Sequence, residues 1–579
     1  MVGLQGPRVK ISGITGAIGC AMLLFAASAP AVDGPDGRLT QLSAGASVSH
    51  GCVTDDGSGG ACVDGRALAS LTGIDVAISP DGGQVYVAGD SGIAILQRDF
   101  ADGALMQSFG PDGCLTSSGV ADGFPCVAYP GLGSSYGVVV SPDGANVYAT
   151  SQANDSVISF SRQPFTGALT PIASLTGRAL NGPRAIAVSR DGRNVYVTSD
   201  GSNAVASLTR NPDGTLTQIA GTAGCVSDNG NSNDGPNTCR DGNDTVLSAT
   251  AEMPLDVSAD GASVYVGGNN GLLGFSRGVD GSLTEAQCLG GPGPPAGCTA
   301  AIGLDDPTGV AVAPDGRHVY ATSATLNSIA YFSRTGGVLG TPGGCLSDGG
   351  PACPGANALH GMKGPAGLAL SPDGSSLYVA AGAGPGASRG LAAFAIDPAG
   401  GGPVQLAGTA ACIAETPGTP SGTAGCDDGK ALTGSLGVIV APDGNHVYSA
   451  AISPTDGVAA FARTNPPDTA ISAAPRARTK HRRVRFSFAA TKPVAFFYCK
   501  LDKAPFGVCE SPFKAPRLKR GGHTFQVYAV GASGQADPTP AVYRFRIGKD
   551  GAEERSGRHR RHGKKHSGRH HRHPAKHPR

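Results

Sequence analysis

One pattern of apolar and polar positions recurs seven times along the chain. Each copy has a short apolar run, a turn of the Pro-Asp-Gly type and a second apolar run with a tyrosine, as in VAISPDGGQVYVAG from Val76 and IAVSRDGRNVYVTS from Ile186. Proline, aspartate and glycine favour a tight turn, so each copy predicts a β-hairpin, its first strand buried on both faces. The turn aspartates stand about 60 residues apart on average, at Asp81, Asp143, Asp191, Asp260, Asp315, Asp373 and Asp443.

Two further strands follow each hairpin. VISFSR from Val157 is typical of the third strand, and GALTPIA from Gly167 is typical of the fourth. Four antiparallel strands per repeat with no helix describe the blade of a β-propeller. The sequence therefore predicts an all-β fold, with a seven-bladed β-propeller over residues 37–464.

The N-terminal end of this region predicts how the ring closes. The seventh repeat stops after its third strand, Val458 to Arg463, and lacks a fourth. The missing phrase, GRLTQL, stands alone at Gly37 to Leu42, before the first hairpin. We expect this N-terminal strand to complete the last blade, which would leave the ring without an open sheet edge.

The recurring phrase resembles the YVTN type of β-propeller repeat, and more distantly the lactonase-like seven-bladed propellers. Tyr196, Val197 and Thr198 reproduce three letters of the YVTN motif, and Ser199 replaces its asparagine. The resemblance covers roughly Gly37 to Arg463. It implies the fold and leaves the function open.

Composition agrees with a chain of many short strands, since glycine accounts for 90 residues and charged residues for only 15%. The N-terminus has the pattern of an export signal. Arg8 and Lys10 precede an apolar run from Ile11 to Phe25, and an Ala-x-Ala cleavage site ends at Ala31. We expect a signal peptide over residues 1–31 and a secreted or cell-surface protein, with an uncleaved membrane anchor as the alternative.

Cysteine usage also favours export. Of the 15 cysteines, 14 form close sequential pairs after Cys20 is set aside with the signal. Zinc ligands would need a shorter spacing or nearby histidines, so we expect disulfides and an oxidising compartment. The repeat leading to Asp191 has no pair and the shortest spacing, 48 residues, so the cysteine loops are insertions on one face of the ring. The expected disulfides are Cys52/Cys62, Cys114/Cys126, Cys225/Cys239, Cys288/Cys298, Cys345/Cys353, Cys412/Cys426 and Cys499/Cys509.

A second domain follows the Pro466-Pro467 linker. Five or more strands between Thr469 and Ile547 predict a small β-sandwich over residues 467–548. The stretch FFYCKLDKAPFGVCESPF resembles the Ig-like or fibronectin-like modules appended to secreted bacterial proteins. Cys499 and Cys509 match the cysteine pair of those modules.

The last segment, residues 549–579, predicts a disordered basic tail. Residues 551–579 hold 10 Lys and Arg, 7 His and 2 Glu, which leaves 35 basic and 42 acidic residues in the rest of the chain. Arg555 to Arg579 is expected to bind an anionic cell-wall polymer or a membrane surface. Zinc or copper capture by His570, His571 and His573 stays open, as does a tail with no partner, and no nucleic-acid partner is expected in an exported protein.

The mouth of the central channel, on the face of the cysteine loops, is the expected binding site. A lactonase-like hydrolase would need acid and base groups or metal ligands converging there. The sequence instead places a few charged positions scattered around the ring. It favours a non-catalytic binding or scaffold protein without metal or cofactor, whose ligand is unknown, and keeps a secreted lactonase-like hydrolase as the alternative. The candidate ligand-binding residues are Asp75, Tyr136, Arg184, Asp256, Asp306 and His360.

Overall fold

In the computed structural model the chain divides into two units, Met1–Pro466 and Pro467–Arg579. The described part of the chain is all-β, as predicted, with one α-helical turn at Asp244–Leu247. Within it no helix is long and apolar enough to cross a membrane. The predicted signal peptide and basic tail lie outside the described residues. Those residues are 37–42, 51–69, 75–232, 235–242, 244–247, 253–341, 343–348, 353, 359–384, 386–397, 400–415, 425–464, 466–491, 494–531, 537 and 540–548.

Seven mainly antiparallel sheets, each built on one of the predicted hairpins, make up the described part of the first unit, together with one two-stranded sheet of Val120–Ala121 and Phe124–Pro125. We number the seven sheets 1 to 7 in chain order. The first strands are Asp75–Ile78, Val138–Val140, Pro183–Val188, Leu255–Val257, Pro307–Val312, Pro365–Leu370 and Ser435–Val440. The second strands are Gln84–Gly89, Asn146–Ser151, Asn194–Ser199, Ser263–Gly268, His318–Ser323, Ser376–Ala381 and His446–Ala451. The third strands are Gly92–Arg98, Ser156–Arg162, Ala204–Arg210, Gly271–Arg277, Ser328–Thr335, Gly390–Ile396 and Gly457–Arg463.

The fourth strand is continuous in sheets 2 and 4, at Leu169–Thr176 and Leu283–Gly290. In the other sheets it has two parts that pair with the same third strand. These parts are Leu105–Gln107 with Cys114–Thr116, Leu216–Gln218 with Cys225–Ser227, Val338–Leu339 with Gly344–Ser347, Pro403–Gln405 with Cys412–Glu415, and Leu39–Gln41 with Cys52–Thr54. A short parallel strand lies outside the fourth strand in five sheets, at Val63–Asp64, Val127–Ala128, Arg240–Asp241, Thr299–Ala300 and Asp427–Gly429.

The N-terminal strand pairs with the C-terminal sheet of this unit. Leu39–Gln41 runs antiparallel to the third strand of sheet 7, with Leu39 opposite Arg463. The backbone N–H of Gly37 donates to the carbonyl of Thr464 at 2.8 Å. The first strand of each sheet contacts that of the next sheet, and the first strand of sheet 7 contacts that of sheet 1.

The most buried strand of each sheet is the second, not the first. Residues of the second strands are buried in every sheet, apart from half-buried His318. The first strands contain both buried and half-buried positions in every sheet. The prediction that the first strand is buried on both faces is therefore wrong, because one side of it lines a cavity.

All seven predicted disulfides are present. Sheet 2, whose fourth strand is continuous, has no disulfide, in agreement with the short repeat that leads to Asp191. The bonds join Cys52 to Cys62, Cys114 to Cys126, Cys225 to Cys239, Cys288 to Cys298, Cys345 to Cys353, Cys412 to Cys426 and, in the second unit, Cys499 to Cys509.

The sequence analysis placed the cysteine pairs of the first unit in inserted loops, but the structure places only their second members outside the strands. The first cysteine of each pair lies within the fourth strand itself, as Cys114 and Cys225 do. The second cysteine lies outside the regular strands, and in five sheets it directly precedes the short parallel strand. Each of these five disulfides therefore holds the outer parallel strand against the fourth strand. The five second cysteines are Cys62, Cys126, Cys239, Cys298 and Cys426, and the sixth pair ends at Cys353.

The described part of the second unit has two sheets. One holds the strands Thr469–Ala473, Arg485–Ala490 and Phe513–Lys514, and the other holds Arg478–Thr479, Val494–Leu501, Gly507–Cys509, Gly521–Gly531 and Ala541–Ile547. Phe486 of the first sheet stacks on Phe525 of the second, with ring centroids 4.1 Å apart. The two sheets thus share one apolar core.

Candidate functional site

The first strands of all seven sheets line one cavity of about 610 Å³. Four of the six candidate binding residues, Asp75, Tyr136, Arg184 and Asp256, are among its lining residues. They come from sheets 1, 2, 3 and 4, in that order around the cavity. The structure thus brings these four residues to one cavity, although Asp75 and Asp256 are more than 170 positions apart in the chain.

Arg184 and Tyr136 form the best-defined part of this cavity. The guanidinium carbon of Arg184 lies 4.4 Å from the ring centroid of Tyr136. Asp200, which directly follows the second strand of sheet 3, accepts a hydrogen bond from Nε of Arg184 at 2.8 Å and lies 2.7 Å from its Nη2. The aromatic ring and the carboxylate fix the plane of the guanidinium, so Arg184 presents an oriented cation at the cavity wall.

Asp75 begins the first strand of sheet 1 and connects it to sheet 2. Its Oδ1 accepts the N–H of Val76 at 2.8 Å, and its Oδ2 accepts the N–H of Val138 at 2.9 Å. The first strand is the inner edge of its sheet, so its outward N–H groups need acceptors. The carboxylate supplies one where the first strands of two sheets meet.

Asp256 repeats this arrangement between sheets 4 and 5. Its Oδ1 accepts the N–H of Val257 at 2.7 Å, and its Oδ2 accepts the N–H of Val312 at 2.8 Å. Burial raises the pKa of Asp256 to about 6, although the two N–H groups and the charge of Arg190 act to lower it. A carboxyl group with this pKa changes its charge near neutral pH.

The other half of the cavity is apolar or small. Sheets 5, 6 and 7 contribute Thr308, Ala366 and Leu436 at the level where sheets 2 and 3 contribute Tyr136 and Arg184. The hydroxyl of Thr308 donates to the carbonyl of Pro365 at 2.7 Å. The charged side chains that line the cavity therefore come singly from sheets 1, 3 and 4, and Tyr136 comes from sheet 2.

The remaining two candidates do not line the cavity. Asp306 accepts the N–H of Asn270 at 2.8 Å and so holds the turn between the second and third strands of sheet 4. His360 is exposed, and its backbone N–H and carbonyl bond to the side chain of Gln405 at 2.9 and 2.6 Å. Both residues lie in connections whose path is set by contacts with a neighbouring sheet. Their positions before a first strand therefore did not bring them to the cavity.

The disulfide cysteines of the first unit also lie away from the cavity. The first strands, which line it, form the inner edge of each sheet, whereas the disulfides lie at the fourth strands and the outer edge. The role of these cysteines is therefore to hold the sheets together rather than to contact a ligand in the cavity. The pairs concerned are Cys52–Cys62, Cys114–Cys126, Cys225–Cys239, Cys288–Cys298, Cys345–Cys353 and Cys412–Cys426.

No group of three His, Cys, Asp or Glu side chains in the described ranges has the arrangement of a metal site. The acidic residues of the cavity are engaged with backbone N–H groups in pairs of sheets instead. The site is thus described by its carboxylates, Arg184 and Tyr136.

Sequence reasoning missed a polar contact that joins neighbouring sheets at the end of the strands where the hairpin turns lie. In sheet 2 the guanidinium of Arg162 bonds to the hydroxyl of Tyr86 at 3.0 Å and to Asp81, both in sheet 1. The Tyr86 hydroxyl donates to the carbonyl of Gly167 at 2.9 Å. A signal was present, since a tyrosine recurs in the second strands and an arginine is the last or next-to-last residue of the third strand in six of the seven sheets.

Comparison with known proteins gives a partial family match. Residues 124–227 match the family described as "Lactonase, 7-bladed beta-propeller". This stretch includes Tyr136, Arg184 and Asp200. No curated protein matches the chain.

Solved structures give distant similarities. A candidate 6-phosphogluconolactonase from Bacteroides uniformis is 19% identical, covers 62% of this chain and 85% of its own, and has a TM-score of 0.40. A periplasmic gluconolactonase from Pseudomonas aeruginosa is 16% identical over 58% of this chain and 84% of its own, with a TM-score of 0.41. Hydrazine synthase from Kuenenia stuttgartiensis is 14% identical over 68% of this chain and 96% of its own, with the same TM-score of 0.41. These similarities do not indicate a shared chemistry.

Proposed function

We propose that the seven sheets are the blades of a closed β-propeller and that the protein hydrolyses lactones in its central cavity. The observation that carries the proposal is the polar half of the cavity, which Asp75, Tyr136, Arg184 and Asp256 line together. A carboxylate base and a fixed cation are the groups that the hydrolysis of a cyclic ester needs.

In this proposal Asp256 acts as the general base, since its raised pKa of about 6 suits proton transfer near neutral pH. It takes a proton from water while the water oxygen bonds to the carbonyl carbon of the lactone. Arg184, oriented by Asp200 and Tyr136, stabilises the oxyanion that forms. The bond between that carbon and the ring oxygen then breaks. The ring oxygen receives the proton from Asp256, which gives the open hydroxy acid.

The family match supports this assignment, because the matched residues 124–227 include Tyr136, Arg184 and Asp200. The polar side chains on which the proposed oxyanion site depends thus fall in the stretch that is similar to lactonase propellers. Asp75 and Asp256 lie outside that stretch, so the role of Asp256 as the base rests on its position in the cavity and its raised pKa.

The proposal is tested by the ring opening of glucono-δ-lactone, followed as proton release. We expect the full chain to accelerate it over buffer, and Asp256→Asn and Arg184→Gln each to lower kcat/KM about 100-fold or more. Asp315→Asn is the matched control, since this exposed carboxylate lies in the hairpin turn of sheet 5, at the other end of the first strand. A wild-type rate equal to that of buffer would refute the proposal.

A second candidate function is binding without catalysis. It is favoured by one observation: both oxygens of Asp75 and of Asp256 already accept backbone N–H groups. Carboxylates held in this way act as structural links between sheets. Stable binding of glucono-δ-lactone without any release of protons would select this candidate.

We further propose that the protein is secreted and that its basic tail holds it on an anionic surface. The seven disulfides support an oxidising compartment. The excess of basic residues after residue 550, against an excess of acidic residues before it, supports the role of the tail. The strands of Pro467 to Gly548 are assigned in this proposal to an Ig-like spacer.

A further inference from the structure

We propose that the cavity accepts lactones without a negative charge and excludes phosphorylated ones. This inference rests on the proposed function and names its substrate class. It follows from the charges at the mouth of the cavity, where the first strands begin.

Among the described residues, the cation that lines the cavity is already matched by a carboxylate. Among the charged residues that line it, Asp75 and Asp256 are acidic, and Arg184 is the cation. Asp200 lies 2.7 Å from Nη2 of Arg184, and the exposed fraction of each of these two side chains is 21%. Both are thus largely withdrawn from solvent, so the pair adds little net positive charge that could attract a phosphate group.

The loops around the mouth add further negative charge. The loops that join second to third strands lie at the end of the sheets where the first strands begin. Apart from Asp200, which is paired with Arg184, their described residues include the acidic side chains Asp90, Asp155 and Asp456 and one basic side chain, Arg389. An anionic ligand would therefore approach through a region where carboxylates outnumber cations.

The consequence is selectivity by repulsion. A phosphate carries between one and two negative charges at neutral pH, and each carboxylate of the mouth raises the free energy of its approach. Mobile salt screens these charges over about 10 Å at 0.1 M ionic strength. Discrimination against phosphorylated ligands should then be largest at low salt and fall as salt is added.

The test uses two lactam analogues that are not hydrolysed, gluconolactam and its 6-phosphate. Calorimetry on the full chain measures the Kd of each analogue at 10 mM and 500 mM salt. We expect the phosphorylated analogue to bind on the order of tenfold more weakly at low salt. The difference in Kd between the two analogues should become smaller at high salt. Asp200→Asn leaves the charge of Arg184 unmatched, so it should reduce the difference in Kd between the two analogues at low salt. Asp315→Asn should leave this difference unchanged.

The possible results separate this inference from the proposed function. Equal or tighter binding of the phosphorylated analogue, or no binding of either analogue, overturns the inference whatever the lactone assay shows. A preference for the uncharged analogue supports it. If that preference is found while glucono-δ-lactone is not hydrolysed, the hydrolase proposal fails and the charge selectivity of the cavity stands.

Discussion

Arg463 donates a hydrogen bond from Nε to the hydroxyl of Tyr378 at 2.9 Å, across the boundary between sheets 7 and 6. Its other donors reach Asp373 in the hairpin turn of sheet 6 and the carbonyl of Gly444 in its own sheet. Six of the seven sheet boundaries have this arrangement in the described part of the chain. The other five arginine and tyrosine pairs are Arg98 with Tyr448, Arg162 with Tyr86, Arg210 with Tyr148, Arg277 with Tyr196 and Arg334 with Tyr265.

Removal of one such arginine should destabilise the first unit. The side chain of Arg463 is fully buried, so Arg463→Met leaves Tyr378 and Asp373 without their cation. We expect the free energy of unfolding, measured in guanidinium chloride, to fall by about 3 kcal/mol. Exposed Arg317 provides the control, because Arg317→Met should change that free energy by less than about 0.5 kcal/mol. Equal effects of the two substitutions would contradict this role for Arg463.

The boundary between sheets 5 and 6 lacks the arginine. Tyr320 still donates to the carbonyl of Gly401 at 2.8 Å, but Ile396 stands at the end of the third strand of sheet 6. We expect the amides next to this boundary to exchange hydrogen faster than those at the boundary of Tyr378. Ile396→Arg should raise the free energy of unfolding by about 1 kcal/mol and slow that exchange. Unchanged or faster exchange in this variant would argue against the arginine as the stabilising group.

Stability should also depend on the protonation of Asp373. Burial alone would raise the pKa of this carboxyl, but Arg463 and the hydrogen bonds of Ser371 and Ser375 hold it well below its usual value. A pKa that is lower in the folded state contributes stability above about pH 4, and this contribution is lost as pH falls further. Asp373→Asn should therefore flatten the loss of stability between about pH 4 and pH 2 in thermal unfolding scans. If the stability of the variant fell with pH as steeply as that of the wild type, Asp373 would not be the group responsible.

Asp256 should show the opposite dependence, together with an effect on rate. Its pKa is raised by burial to about 6, so the stability it contributes is largest below about pH 4 and is lost as pH rises through 6. The base needed for hydrolysis exists only above that pKa. We expect kcat for glucono-δ-lactone to rise through about pH 6 as the stability relative to Asp256→Asn falls. A kcat that does not change from pH 5 to 8 would exclude Asp256 as the base.

The disulfide of sheet 1 allows a clean test of the cysteine loops. Cys114 and Cys126 are 12 residues apart, and every residue between them is described. A variant with both cysteines replaced by alanine should lose up to about 3 kcal/mol in the free energy of unfolding, since the open chain gains entropy. Reducing agent should then destabilise this variant less than it destabilises the wild type. If reducing agent lowered the free energy of unfolding equally in both proteins, this disulfide would not contribute to stability.

The proposed role of the tail is tested by a variant that ends at Lys549. Each exposed cation adds about 1 kcal/mol near an anionic surface, and salt weakens the attraction. The full chain should sediment with vesicles rich in phosphatidylserine at low salt, more strongly below about pH 6.5, where histidine gains charge. The shortened variant should stay in solution. Equal sedimentation of both, or sedimentation that ignores salt, would rule the proposal out.

The repeat pattern predicted the strands because the information is local. Each Pro-Asp-Gly turn fixes a hairpin within about a dozen residues, and the disulfides join cysteines that are neighbours in the chain. The contacts between sheets are not local. Arg463 and Asp373 are 90 positions apart, and the partner of an arginine at the end of a strand cannot be read from its neighbours.

The candidate site was predictable where a residue belongs to a first strand. Asp75, Arg184 and Asp256 lie on these strands, and their orientation follows from the alternation of side chains along a strand. Asp306 directly precedes the first strand of sheet 5 but bonds to Asn270 of sheet 4, and His360 lies in a longer connection and bonds to Gln405 of sheet 6. The contact of Arg184 with Tyr136 depends on two sheets meeting at the cavity, which the pattern of one repeat does not contain.

The pairing of Leu39–Gln41 with the third strand of sheet 7 has a consequence for synthesis. A ribosome makes residues 39–41 first and residue 463 more than 400 residues later. The last sheet therefore cannot be completed until nearly the whole unit has been translated. Backbone hydrogen bonds already join Thr464 to Gly37 and Arg38. A circular permutant that links residue 464 to residue 37 and opens the chain beside sheet 2 would therefore place the third strand of sheet 7 and the strand Leu39–Gln41 in immediate succession.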